Sequence, residues 1–140
     1  MGLILCATRG GETSYKTQQA AIALAKERGD SIIFLYVIDL HFLDKTASPI
    51  VVDIESELVQ MGRFFLLMAK EAAEERGVKA DTITRKGMVR EEIIQAILDE
   101  GADLVVLGTP AGKRSAFEIE SLNEFREEIE RLTGAETVLV

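Results

Sequence analysis

Short apolar runs alternate along this chain with longer stretches of helical period, and Gly29, Gly77, Gly101 and Gly134 each close one of those stretches. The runs are Leu3 to Thr8, Ser31 to Ile38, Asp103 to Gly108 and Glu136 to Val140. A further one, Lys79 to Arg85, alternates in character and belongs near a sheet edge. Between the first two, Tyr15 to Arg28 spaces Ala20, Ala21, Leu24 and Ala25 at helical intervals, with Thr13 and Ser14 as good caps. Asp53 caps a long helix from Ile54 to Arg76, whose buried face is predicted to carry Ile54, Leu58, Met61, Phe65, Met68 and Ala72. Phe64, Leu66 and Leu67 broaden that face towards a partner. Val89 to Glu100 is a helix burying Ile93, Ile94, Ile97 and Leu98, and the last helix turns Phe117, Leu122, Phe125, Ile129 and Leu132 inward. Asp39 to Val52 has no period and contains Pro49, which predicts a loop over a sheet end.

Strand and helix therefore alternate to the end of the chain. Such alternation, with continuously apolar strands, predicts a parallel sheet covered by helices on both faces. Right-handed crossovers make a doubly wound sheet the natural solution. A length of 140 residues suits one domain, 1–140, with no internal repeat or linker.

Composition narrows the function classes. Apolar residues make up 47% and charged residues 29%, which predicts a folded core. No apolar run approaches the roughly 20 residues of a membrane span, and the start lacks the basic flank of a signal peptide, so the expectation is a cytoplasmic protein without membrane contact. A net charge of −8 disfavours nucleic acid. The one cysteine, Cys6, lies in an apolar run and reads as a buried, inert thiol.

In doubly wound sheets ligands bind outside the carboxyl ends of the strands, where the strand order reverses. The candidate segments are Thr8 to Ser14 and Gly108 to Ser115, which carry glycines, hydroxyls and cations and feed helix N-termini suited to phosphate. Tight-turn chemistry and solvation explain the same glycines and Lys113 and Arg114, and from the loops alone they are the readier reading. No catalytic constellation is visible: His41 has no sequence-local acid or nucleophile, and neither a metal-ligand set, a GxSxG elbow nor a P-loop is present. An acidic phosphoacceptor pocket would want carboxylates after the first strand, where Thr8, Arg9 and two glycines stand instead.

Several blocks in order resemble the universal stress protein family over essentially the whole chain. They are Ile4 to Ser14, Ala21 to Gly29, Phe34 to Asp39, Gly87 with Glu91, Glu92 and Ile93, Ala102 to Thr109, and Val138 to Val140, with Ala102 to Thr109 the most specific. The resemblance implies an adenine nucleotide α-hydrolase-like fold: five parallel strands in the order 3-2-1-4-5. It also implies a homodimer paired through the C-terminal strand. On the same ground Thr8, Arg9, Val37, Gly108, Gly112, Lys113, Arg114, Ser115 and Ser121 surround any bound nucleotide.

The family divides into nucleotide binders and non-binders, and this sequence departs from the binders' pattern at each point. Arg9 stands where binders carry an acidic residue. Gly108 and Gly112 are separated by three residues, where the binders' loop has two, and Pro110 stiffens the loop. The later Gly-Ser pair is missing; its place falls among Glu120 to Glu124. Six glutamates against two arginines between Ala116 and Leu132 add repulsion for a triphosphate. The expectation is a non-enzymatic, dimeric stress-response or regulatory protein with no cofactor and a protein partner of unknown kind. The alternative is an ATP- or AMP-binding module, with Mg, using the Gly108–Ser115 loop and capable of slow hydrolysis. An adenylyl-transferring enzyme of related fold would need an ATP-pyrophosphate motif that is absent.

Overall fold

The computed structural model describes residues 2–8, 11–39, 48–108 and 116–140, with backbone alone at 11–13, 48–53 and 116–119. The elements run β1 (Leu3–Ala7), α1 (Gly11–Arg28), β2 (Ser31–Ile38), α2 (Ser48–Glu75), β3 (Ala80–Lys86), α3 (Val89–Glu100), β4 (Leu104–Leu107), α4 (Ala116–Thr133) and β5 (Glu136–Leu139). The five strands form one sheet in the order β3-β2-β1-β4-β5, and each neighbouring pair is parallel. The doubly wound sheet and its strand order are as expected.

β1 is central, and its register sets the layers. Cys6 lies opposite Phe34 of β2 and Val106 of β4. Because strand side chains alternate between faces, Ile4 and Cys6 join Phe34, Val106, Ile22 and Leu66 in a core beneath α1 and α2. Leu5 joins Leu35, Val105, Ile97 and Ile129 in a second core beneath α3 and α4. A strand buried on both faces must be apolar at every position, which is why Ile4, Leu5 and Cys6 follow one another and all are fully buried.

Two helices begin earlier than their periodicity indicates. α1 starts at Gly11, so Thr13 and Ser14 are inside the helix and do not cap it. α2 starts at Ser48, so the end of the aperiodic stretch, from Ser48 to Val52, is helix rather than loop, while residues 40–47 lie outside the described residues. Pro49 falls in its first turn, where the missing N–H costs no hydrogen bond.

The buried faces are also rotated from those expected. On α2, Leu66, Ala69 and Ala73 are buried and Leu58, Phe65 and Ala72 partly so, whereas Met61 and Met68 are exposed. The cause is Gly62: a β-carbon there would lie 2.7 Å from the Tyr36 ring. With Ala69 and Ala73 on the same face, the helix sits down on β2 along its small side chains, and this turns both methionines outward. α3 behaves alike, burying Ile93, Ala96 and Ile97 and leaving Leu98 exposed. On α4, Phe125 and Ile129 are buried, Leu122 is partly so and Leu132 is exposed; the Phe117 side chain lies outside the described residues.

The amino end of the sheet is held by carboxylates. Asp30 Oδ1 accepts the Gly2 N–H at 2.8 Å and Asp103 Oδ1 accepts the Leu3 N–H at 2.8 Å. Asp103, expected to open β4, instead precedes it and clamps β1 through its side chain. At the other end Lys86 pairs with Glu55 at 2.7 Å, tying β3 to α2.

Candidate functional site

The strand order reverses between β1 and β4, so their carboxyl ends form the crevice where such sheets take ligands. Thr8 leaves β1 there and is buried; its N–H donates to the Leu35 carbonyl at 2.8 Å, continuing the ladder to β2. Its Oγ1 accepts from Gln18 Nε2 at 2.6 Å. Gln18 belongs to a polar stripe of α1, with Ser14 and Thr17, that is buried on the sheet side. Gly108 leaves β4 against the same stripe, and a β-carbon on it would lie 2.5 Å from Thr17 Oγ1. Thr8 and Gly108 thus meet α1 through neutral hydroxyl and amide groups, which can position loops and hydrogen-bond but carry no charge for phosphate.

The other expected site residues divide. Val37 is half-buried near the end of β2, opposite Arg85, and packs into the core under α3 and α4. Arg85 itself is held by Glu92 at 2.8 Å and Asp99 at 3.1 Å, which keeps its guanidinium charged and raises its pKa. Ser121 is drawn into the contact between α3 and α4: its hydroxyl and carbonyl both accept from the Arg90 guanidinium, which lies 5.0 Å above the Phe125 ring. Arg9, Gly112, Lys113, Arg114 and Ser115 lie outside the described residues, as does His41. The structure therefore brings Thr8 and Gly108 together, places Val37 one strand over, and gives Ser121 a different partner.

Thr17, Gln18 and Arg90 were not anticipated, and Ser14, expected as a cap in the first candidate segment, instead lies on the buried face of α1. For Ser14, Thr17 and Gln18 a signal existed: they fall at helical spacing with Ala21 and Ala25, so the buried face of α1 continues through them. Arg90 carried no signal, because its partners are 31 residues away. Cys6, two residues before Thr8, is fully buried as expected, and loss of solvent pushes its thiol up to about 12. Among the described residues no group of three or more His, Cys, Asp or Glu side chains is placed to hold a metal ion, and no helix is long and apolar enough to cross a membrane.

Comparison with known proteins supports the same geometry. A model of the Universal stress protein family matches residues 1–121. Universal stress protein YxiE of Bacillus subtilis is 30% identical over 122 residues, covering 76% of this chain and 77% of that protein. Among solved structures, universal stress protein UspA from Lactobacillus plantarum superposes with a TM-score of 0.81 at 14% identity, covering 99% of this chain and 97% of that one. A universal stress protein in complex with cAMP superposes with a TM-score of 0.72 at 16% identity, covering 99% and 96%. At those identities the structures share the fold alone.

Proposed function

Because this chain belongs to the universal stress protein family, we propose that it is a non-enzymatic regulatory protein acting as a homodimer. The observation that carries this reading is the commitment of three expected site residues, two of them at the switch point, to contacts within the fold. Gly108 closes against Thr17, Thr8 is held by Gln18, and Ser121 is held by Arg90. Three positions expected to face a ligand are engaged by other residues of the chain, which suits a scaffold better than a catalyst.

Dimerisation through β5 is supported by the contrast between the two sheet edges. The β3 edge carries Asp81, Arg85 and Lys86, charges that discourage strand pairing. The β5 edge carries Val138, Leu139 and Val140, only partly covered or exposed. An apolar edge of this kind is an aggregation hazard unless paired, and a two-fold axis pairs it with its own copy. Native mass spectrometry of the purified protein tests both statements together. The expected result is a dimer mass without nucleotide; a monomer at micromolar concentration sinks the dimer.

The second reading is an AMP- or ATP-binding module, with Mg, built on Thr8, Gly108 and the segment Gly112 to Ser115. The switch-point location favours it, as does the relative in complex with cAMP. Stoichiometric AMP, ATP or cAMP binding in calorimetry, abolished by Gly108 and Lys113 substitutions, would establish this reading over the first.

A further inference from the structure

Four large apolar side chains crowd the outer surface of α2: Met61, Phe64, Leu67 and Met68 are each about half exposed. At about 3.6 residues per turn, Met61, Phe64 and Met68 make one stripe, with Leu67 beside it. Exposed apolar side chains that cluster in one patch mark interaction sites, where singly scattered ones do not, and methionine adapts to the shape of whatever it meets. The stripe does not fade into neutral surface. One turn before Met61 it reaches Glu57, and after Met68 it reaches Glu71 and Glu75, all three exposed. Arg63, Lys70 and Glu74 lie along one flank, beside Leu67.

The carboxylates decide what can cover the patch. Antiparallel self-pairing that sets Phe64 against Met68 also sets Glu57 against Glu75, and parallel pairing stacks each glutamate on its copy. Either arrangement puts like charges together at both ends of the contact, so a second copy is a poor occupant. An anionic lipid surface meets the same repulsion, added to a net charge of −8.

We propose that the outer face of α2 docks a basic amphipathic helix of a partner protein. Its apolar residues, at helical spacing, cover Met61, Phe64, Leu67 and Met68, and Lys or Arg about one turn beyond each end meets Glu57 on one side and Glu71 and Glu75 on the other. The apolar centre supplies affinity, and the charged ends set register and reject acidic partners. This surface stands apart from the β1–β4 crevice and is independent of whether nucleotide binds there.

The test uses the whole 140-residue chain and a fluorescein-labelled synthetic peptide of roughly 18 residues, five helical turns, with a Leu/Phe centre and Lys or Arg at both ends. A twin peptide carries Glu at those ends. Anisotropy titration should show saturable binding of the basic-ended peptide and about ten-fold or weaker binding of its twin. Phe64→Ser with Met68→Ser should weaken binding about ten-fold. Glu57→Lys with Glu71→Lys should do so too, whereas Glu124→Lys with Glu127→Lys, an equal change of net charge on α4, should leave it unchanged. Equal binding of the two peptides, no saturable binding, or an equal loss from the α4 reversal overturns the proposal. So does a fall in sedimentation mass on Phe64→Ser with Met68→Ser, which makes the occupant a second copy. Loss of phosphatidylserine-vesicle binding in that variant makes it a membrane and equally overturns the proposal.

Discussion

Gly108 and Thr17 approach so closely that a β-carbon on the glycine would sit 2.5 Å from the threonine hydroxyl oxygen. A glycine in a strand-to-helix loop of this fold suggests phosphate approach, but here the close neighbour is protein. Thr17 is itself buried and has little room to retreat. Gly108→Ala is therefore expected to destabilise by about 1–3 kcal/mol, the usual cost of overpacking. In urea denaturation the pair Gly108→Ala and Thr17→Ala should be non-additive, since Thr17→Ala removes the oxygen that the new β-carbon would meet. Additive losses would mean the two residues do not share the contact.

Gly62 offers a test of sign. In an exposed helix interior Gly→Ala stabilises by up to about 1 kcal/mol. Here the new β-carbon would meet Tyr36 ring carbons at 2.7 and 2.9 Å, and overpacking of about 1–3 kcal/mol outweighs the helix gain. Gly62→Ala should lower the thermal midpoint, and Tyr36→Leu in the same chain should recover part of the loss. A raised midpoint in the single variant would show that α2 does not sit on Tyr36.

The clamp at the amino end predicts a pH dependence. Asp30 is held below the ordinary carboxylate range, first by the Gly2 N–H it accepts and then by Arg28 at 2.8 Å. A carboxyl with a depressed folded pKa contributes stability above its unfolded value, about 3.9, and that contribution is lost as pH falls through the folded value. Asp30→Asn should be destabilised at pH 7 and indistinguishable from wild type in strong acid. Thermal melts across the acid range check this; a gap that persists at low pH would assign the loss to packing.

Cys6 predicts the opposite limb. Its folded thiol, pushed up to about 12 by burial, stays neutral where the unfolded thiol, near 8.5, ionises. Stability from this group is complete below about pH 8.5 and declines as pH rises from there towards the folded value. Under native conditions Ellman's reagent should label Cys6 only as fast as the protein opens, and Cys6→Ala should flatten the alkaline decline. Rapid native labelling would contradict its burial.

The helix stops at Gly29, Gly77, Gly101 and Gly134, the apolar strands and their alternation carried the doubly wound class in the sequence, and the family resemblance carried the order of strands. These are local or near-local properties: a glycine past a helix end and a strand buried on both faces leave their marks within a few residues. The same periodicity misplaced Met61, Met68 and Leu98, because several faces of α2 and α3 are apolar enough to be buried. What selects among them is how closely the helix approaches the sheet, and small residues at 62, 69, 73 and 96 settle that only when the strand beneath is present. The site divides in the same way. Thr8 and Gly108 were legible because they end strands at a switch point. The reasons they matter, Gln18 on one and Thr17 against the other, and the capture of Ser121 by Arg90, depend on contacts between distant segments. Periodicity records that a face is buried; its depth and partner are properties of the packed layers and arise only when distant segments meet.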